Sequence, residues 1–114
     1  MSNSLPIFKI LTPAEYQLFC EEKIFAGAPV DIADGFIHFS DASQVLETAQ
    51  KHFGEHTEIW ILEIATRRFG DNLKWEESRG GALFPHLYDM ELRSEDIVKA
   101  RLESKQDGQF NFEI

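Results

Sequence analysis

The stretch Glu58-Ile59-Trp60-Ile61-Leu62-Glu63-Ile64-Ala65 constrains the fold more than any other. It is nearly continuous apolar sequence, rich in isoleucine and too short to cross a bilayer as a helix. Such a run reads as a central strand, buried on both faces, so other elements must cover it from two sides. Ile7-Phe8-Lys9-Ile10-Leu11 predicts a first strand. Thr12-Pro13-Ala14-Glu15 then gathers three helix-start signals: a capping hydroxyl, a proline suited to the first turn and a glutamate that closes a capping box. That helix runs to about Lys23 and turns Ala14, Leu18 and Phe19 toward the core.

Ile24 to Asp34, with Gly27 and Pro29, reads as a loop. Phe36 to Phe39 predicts another strand, and a second helix begins at Ser40 or Asp41. Val45, Leu46 and Ala49 form its apolar stripe, and Gly54 stops it. Thr66 to Arg93 has no clean period and reads as long loops with short elements. Ile97 to Glu103 alternates, Asp107-Gly108 is a turn signal, and Phe110, Phe112 and Ile114 alternate again, which predicts a terminal hairpin. Two main helices in the first half and strands mainly in the second make the class α+β. With 114 residues and no Pro/Gly/Ser linker, residues 1–114 are expected to form a single domain.

Charge and cysteine content narrow the partners. A net charge of −9 argues against an extended nucleic-acid surface and leaves room for a small polar ligand or a protein partner. The single cysteine, Cys20, cannot form an internal disulfide or a thiolate metal site. Met1-Ser2-Asn3-Ser4 lacks the features of a signal peptide, and no run is long enough for a membrane helix, so a soluble cytoplasmic protein is expected. Oligomeric state is not legible.

Chemistry concentrates in three runs. In Asp31-Ile32-Ala33-Asp34-Gly35-Phe36-Ile37-His38-Phe39-Ser40-Asp41, the densest polar-aromatic run, strand alternation sends Ile37 and Phe39 into the core and leaves Phe36, His38 and Ser40 on the other face. His38 and Ser40 then stand before a helix N-terminus, a place suited to an anion. Alternatively, His38 satisfies a buried partner and Ser40 only caps the helix. In Leu73-Lys74-Trp75-Glu76-Glu77-Ser78-Arg79-Gly80-Gly81, Trp75 offers a stacking face, Glu76 a base and Arg79 a partner for phosphate or carboxylate; the bland alternative is a solvated loop with Trp75 as a core plug. In Leu83-Phe84-Pro85-His86-Leu87-Tyr88-Asp89, a histidine inside an apolar run is either paired or lines a pocket. His52 and His56 flank Gly54 at a helix end and read as surface residues. A metal held by His38 and His86 with Glu76 or Asp34 is a weak signal, because no HExxH or Cys/His spacing is present, and no metal site is expected.

Together these runs resemble the family catalogued as domain of unknown function 952. The resemblance begins at the Ile7–Leu11 strand and covers nearly the whole chain. Asp89 departs from it, since the family often has glycine there. The resemblance implies an ADP-ribosyltransferase-like fold, related to the RNA 2′-phosphotransferases, whose split mixed or antiparallel sheet grips NAD in a cleft. Ile37-His38-Phe39-Ser40 followed by Ala42 to Ala49 matches a strand-to-helix run of those enzymes, whereas their arginines before the histidine and in the first strand are missing. The reading that follows is a transferase-like enzyme acting on NAD or a nucleotide-like substrate. His38, Glu76 and His86 would be catalytic, and Asp34, Ser40, Trp75, Arg79 and Tyr88 would bind the ligand. NAD enters there as a substrate, and no resident cofactor is required. The alternative is a non-catalytic ligand-binding or sensor module on the same fold.

Overall fold

The central strand forms as its composition dictates. In the computed structural model, which describes residues 5–114 apart from the side chain of Arg79, Glu58–Ile64 is β4. It runs antiparallel between β1 (Ile7–Leu11) and β8 (Ile97–Ser104). Side-chain alternation divides its apolar residues between two cores. Ile59 and Ile61 join Phe8, Ile10 and Phe110 on one side, while Leu62 and Ile64 join Ile7 and Leu11 on the other. The expectation about Met1–Ser4 lies outside the described residues.

The first helix, α1 (Pro13–Glu22), carries the predicted capping box: the Thr12 amide donates to Glu15 Oε1 at 2.9 Å and the Glu15 amide to Thr12 Oγ1 at 3.2 Å. Its buried side is narrower than its sequence suggested. Phe19 enters the core and Tyr16 stacks on Trp60 at 4.1 Å, but Ala14 and Leu18 are exposed. The segment read as a loop contains β2 (Ile24–Phe25) and a six-residue helix, α2 (Pro29–Asp34). Pro29 occupies the first turn of α2, and Gly35 ends it at φ 88°, where a side chain would be strained.

After β3 (Ile37–His38) the next helix, α3 (Val45–His52), starts later than Ser40 or Asp41. The Asp41 carboxylate accepts from the amides of Ser43 and Gln44 and holds a turn there first. Among the described residues three α-helices thus replace the two main helices expected. Thr66 to Arg93 is also more regular than its sequence suggested, for β5 (Leu73–Glu77), β6 (Leu83–Leu87) and β7 (Leu92–Arg93) lie within it. The order β3-β6-β5 makes a second antiparallel sheet, and β7 pairs with β2. Among the described residues every strand pairing is antiparallel, so the mixed option is not taken. The terminal hairpin does not form as drawn. Gln106 and Gln109 close a turn, but Phe110 and Phe112 leave the sheet direction to plug the second core, and Ile114 is exposed.

One contact joins the two three-stranded sheets. Phe8 and Ser40 exchange backbone hydrogen bonds of 2.8 and 2.9 Å, so β1 meets the end of β3. The cavity described next opens across this junction.

Candidate functional site

Backbone pairing brings the histidines together. Phe39 N donates to Pro85 O at 3.0 Å, but Pro85 has no N–H to return the bond, so the ladder closes after two residues. That makes Phe39 and Pro85 a hydrogen-bonded position and the next pair, His38 and His86, a non-hydrogen-bonded one, where side chains approach more closely. Their ring centroids are 5.5 Å apart. Phe36 completes the wall, with its ring 4.1 Å from His86, 4.6 Å from His38 and 5.1 Å from Tyr88.

His38 is held from both sides. Its Nδ1 lies 2.6 Å from Asp31 Oδ1 and its Nε2 2.9 Å from Asp34 Oδ2. Both partners are carboxylates, which only accept, so the ring donates to both only as imidazolium. Asp31, 1% exposed, is the hub. Besides the His38 ring it receives the amides of Ala28 (2.8 Å) and His38 (3.1 Å) and the Lys9 ammonium (2.9 Å). Burial pushes its carboxyl up, but the His38 bond, the Lys9 charge and the Ala28 amide outweigh burial and hold it at about 2. Lys9 also donates to His38 O at 2.9 Å. Its own pKa is lowered, chiefly by burial, against the pull of Asp31. Gly27 lets this happen: at φ +134°, a Cβ there would stand 3.0 Å from Asp31 Cβ.

His86, 5% exposed, has a different environment. Its Nδ1 meets Glu76 Oε1 at 2.8 Å, and Tyr88 donates to the same oxygen at 2.7 Å. These bonds, His86 first, hold the Glu76 carboxyl below its ordinary range, and Glu76 in turn raises Tyr88. Donation from Nδ1 leaves the Nε2 lone pair as the basic position of a neutral ring.

Both histidines line a cavity of about 580 Å³. Lys9, Asp31, Asp34 and Ser40 line it with them, as do Phe8, Phe39, Phe53 and Phe84. His52 and His56, read as surface residues, are exposed yet also stand on its wall, so all four histidines of the chain surround one space. Glu76 and Tyr88 are not on that wall and act through His86. Ser40 neither caps α3 nor meets a histidine; its Oγ pairs with Thr48 Oγ1 at 3.1 Å. The helix start expected directly after Ser40 is displaced to Val45, because Asp41 takes the amides of Ser43 and Gln44 in a turn before α3. Trp75, like Tyr88, is a ligand-binding candidate that stands off the cavity wall. Alternation along β5 puts it on the face opposite Glu76, packed against the core. The Arg79 side chain lies outside the described residues; its chain neighbour Ser78 lines the cavity.

Asp31 and Phe36 stood in the first run, and Lys9 in the first strand, without a role assigned to them from the sequence. The run Ala28-Pro29-Val30-Asp31, with Gly35 beyond it, is a helix start and stop that places an acceptor in the first turn, and that signal could have found Asp31. Among the described residues no three His, Cys, Asp or Glu side chains converge to hold a metal ion. No helix among them is long and apolar enough to cross a membrane.

An α+β chain with antiparallel sheets and a histidine-lined cavity is thus the kind of protein the fold and site define. The chain belongs to the family described as protein of unknown function DUF952, whose model matches residues 10–100. Its structure is similar to the crystal structure of protein CC0527 from Caulobacter crescentus, with 39% identity, 93% of each chain covered and a TM-score of 0.85. It is also similar to the solution NMR structure of that protein, with 38% identity, 92% of this chain and 90% of the other covered, and a TM-score of 0.80. No curated protein matches the chain.

Proposed function

We propose that the chain is a small-molecule enzyme of the transferase-like kind, acting on NAD or another nucleotide-like substrate in this cavity, with His38 and His86 as its acid–base pair. One observation carries this reading. Two cross-strand histidines face the same cavity, each with Nδ1 on a carboxylate. Such backing fixes ring orientation and tautomer, which proton transfer to a bound substrate requires. His38, bonded at both nitrogens, is the acid of the pair, and His86, with a basic Nε2, is the base. Glu76 and Tyr88 are positioning residues for His86. Phe53 and Phe84 give a ring-bearing substrate apolar wall. The choice of NAD rests on the resemblance to ADP-ribosyltransferases alone.

The test is incubation of the full chain with NAD, ADP-ribose and mononucleotides, with products followed by mass spectrometry and binding by thermal shift. Turnover that falls at least about a hundredfold in His86→Asn, with the fold retained, is the expected result. A second reading, a binding or sensor module, draws on the pairing of Ser40 Oγ with Thr48 Oγ1, which turns the Ser40 hydroxyl to α3 and away from His38 and His86. Stabilisation by a ligand without conversion would favour that module, and neither stabilisation nor conversion would defeat both readings.

A further inference from the structure

Asp34 sits on the ring nitrogen of His38 that a ligand would use. The Nδ1 side of the ring is closed by Asp31, which is almost wholly buried and tied to Lys9, Ala28 and the His38 amide. The Nε2 side is different. Its partner carboxylate is 48% exposed, belongs to the last residue of the short helix α2 and is followed by Gly35 at φ +88°, with nothing within 4 Å of where a glycine Cβ would stand. Among the described residues His38 is the only partner of that carboxylate. Both residues line the cavity.

We infer that Asp34 is an internal stand-in for an oxyanion, carboxylate or phosphate, on the ligand, and that binding displaces Asp34 from His38 Nε2. The exchange is chemically even. One charge-assisted N–H···O bond is replaced by another, whereas a neutral carbonyl would replace it with a weaker one. Releasing Asp34 costs little, because a half-exposed carboxylate regains water as it leaves. The groups facing His38 keep the ring ready for the replacement. Asp31 of α2 holds Nδ1, Lys9 of β1 holds the His38 carbonyl, Phe36 packs on the ring and His86 of β6 stands edge-on to it. Asp34 therefore both rehearses the ligand's contact and competes with it. This inference rests on the cavity being the working site, as proposed above, but not on any turnover there.

The test uses the full chain with nitrogen-15 histidine, titrated with inorganic phosphate and, separately, with acetate while the His38 ring nitrogens are followed by NMR. Removing a half-exposed competitor in Asp34→Ala should tighten binding of at least one anion by about fivefold. Asp34→Asn, which keeps the side-chain shape, should give the same direction, and His38→Asn should abolish the response. Preference for phosphate or for acetate identifies the class of oxyanion. An affinity unchanged by both Asp34 substitutions, or a His38 ring that neither anion perturbs, overturns the inference. A chain that binds the anion at His38 yet converts no substrate keeps this inference and loses the proposed enzyme. A chain that converts substrate with anion binding indifferent to Asp34 does the reverse.

Discussion

His38 and His86 lie directly across from one another on β3 and β6, their rings 5.5 Å apart and edge-on, and each presents Nδ1 to a carboxylate. The two carboxylates differ in depth, Asp31 being buried and Glu76 being 40% exposed. This asymmetry separates two jobs. Asp31 holds the architecture as well as the ring, while Glu76 mainly orients His86. Substitutions at the two sites should therefore read out differently, the first in stability and the second in titration.

Acid tolerance tests the first. The Asp31 carboxyl is held at about 2 in the folded chain, against an ordinary 3.8. A depressed folded pKa contributes stability that is full above the unfolded value and lost as the pH falls through the folded one. The contribution is about 2 kcal/mol, and it should disappear between about pH 4 and pH 2. Denaturant unfolding across that range should show the loss in wild type and a flatter profile in Asp31→Asn.

Lys9 and Asp31 should be coupled. Both are buried, and their 2.9 Å ion pair leaves either partner poorly compensated when the other is removed. Lys9→Met and Asp31→Asn should each cost about 3 kcal/mol or more. The double substitution should cost clearly less than the sum, with a coupling of at least about 1 kcal/mol. Additive losses in denaturant melts would show that the pair does not act as a unit.

How far the sequence discloses such a pair depends on the period of each segment. The β4 run and the alternation of Ile37 and Phe39 were legible because burial there follows a simple repeat. So was the Thr12–Glu15 capping box, a purely local device. Lys9 was not, since an ammonium inside a strand buried along its whole length is explained only by Asp31, which is far away in sequence. The β5–β6 hairpin was hidden for another reason. A proline in the middle strand argues against a strand, and it is tolerated here because the ladder to β3 ends at that point. His38, His86, Ser40 and Asp34 were legible as polar residues at the edge of apolar runs, and the tertiary pairing alone brought His52 and His56 to the same cavity. Trp75 packs against the core, which was the alternative its sequence left open for want of a face assignment.

Asp89 follows the same logic at the backbone level. It stands just beyond Tyr88 at φ 58°, a left-handed conformation that glycine adopts without strain and aspartate tolerates. Asp89→Gly should be neutral or stabilising by up to about 1 kcal/mol, and Asp89→Val destabilising by more than that. Thermal melts of the two variants give the sign directly. Loss of stability in the glycine variant would mean that the aspartate side chain itself holds the turn.

Glu76 provides the remaining test, because two donors meet at one of its oxygens. His86 Nδ1 and Tyr88 Oη both point at Oε1, at 2.8 and 2.7 Å. Those bonds lower the Glu76 carboxyl and raise the Tyr88 phenol. Glu76→Gln removes the negative charge, so Tyr88 should titrate at lower pH than in wild type in an ultraviolet difference titration. Tyr88→Phe should move Glu76 upward, though not all the way, because the larger contribution from His86 remains. NMR titration of the Glu76 carboxyl carbon reads that shift. If Tyr88→Phe leaves Glu76 where it was, the phenol does not brace the carboxylate, and His86 is oriented by Glu76 and by the Phe36 and His38 rings without it.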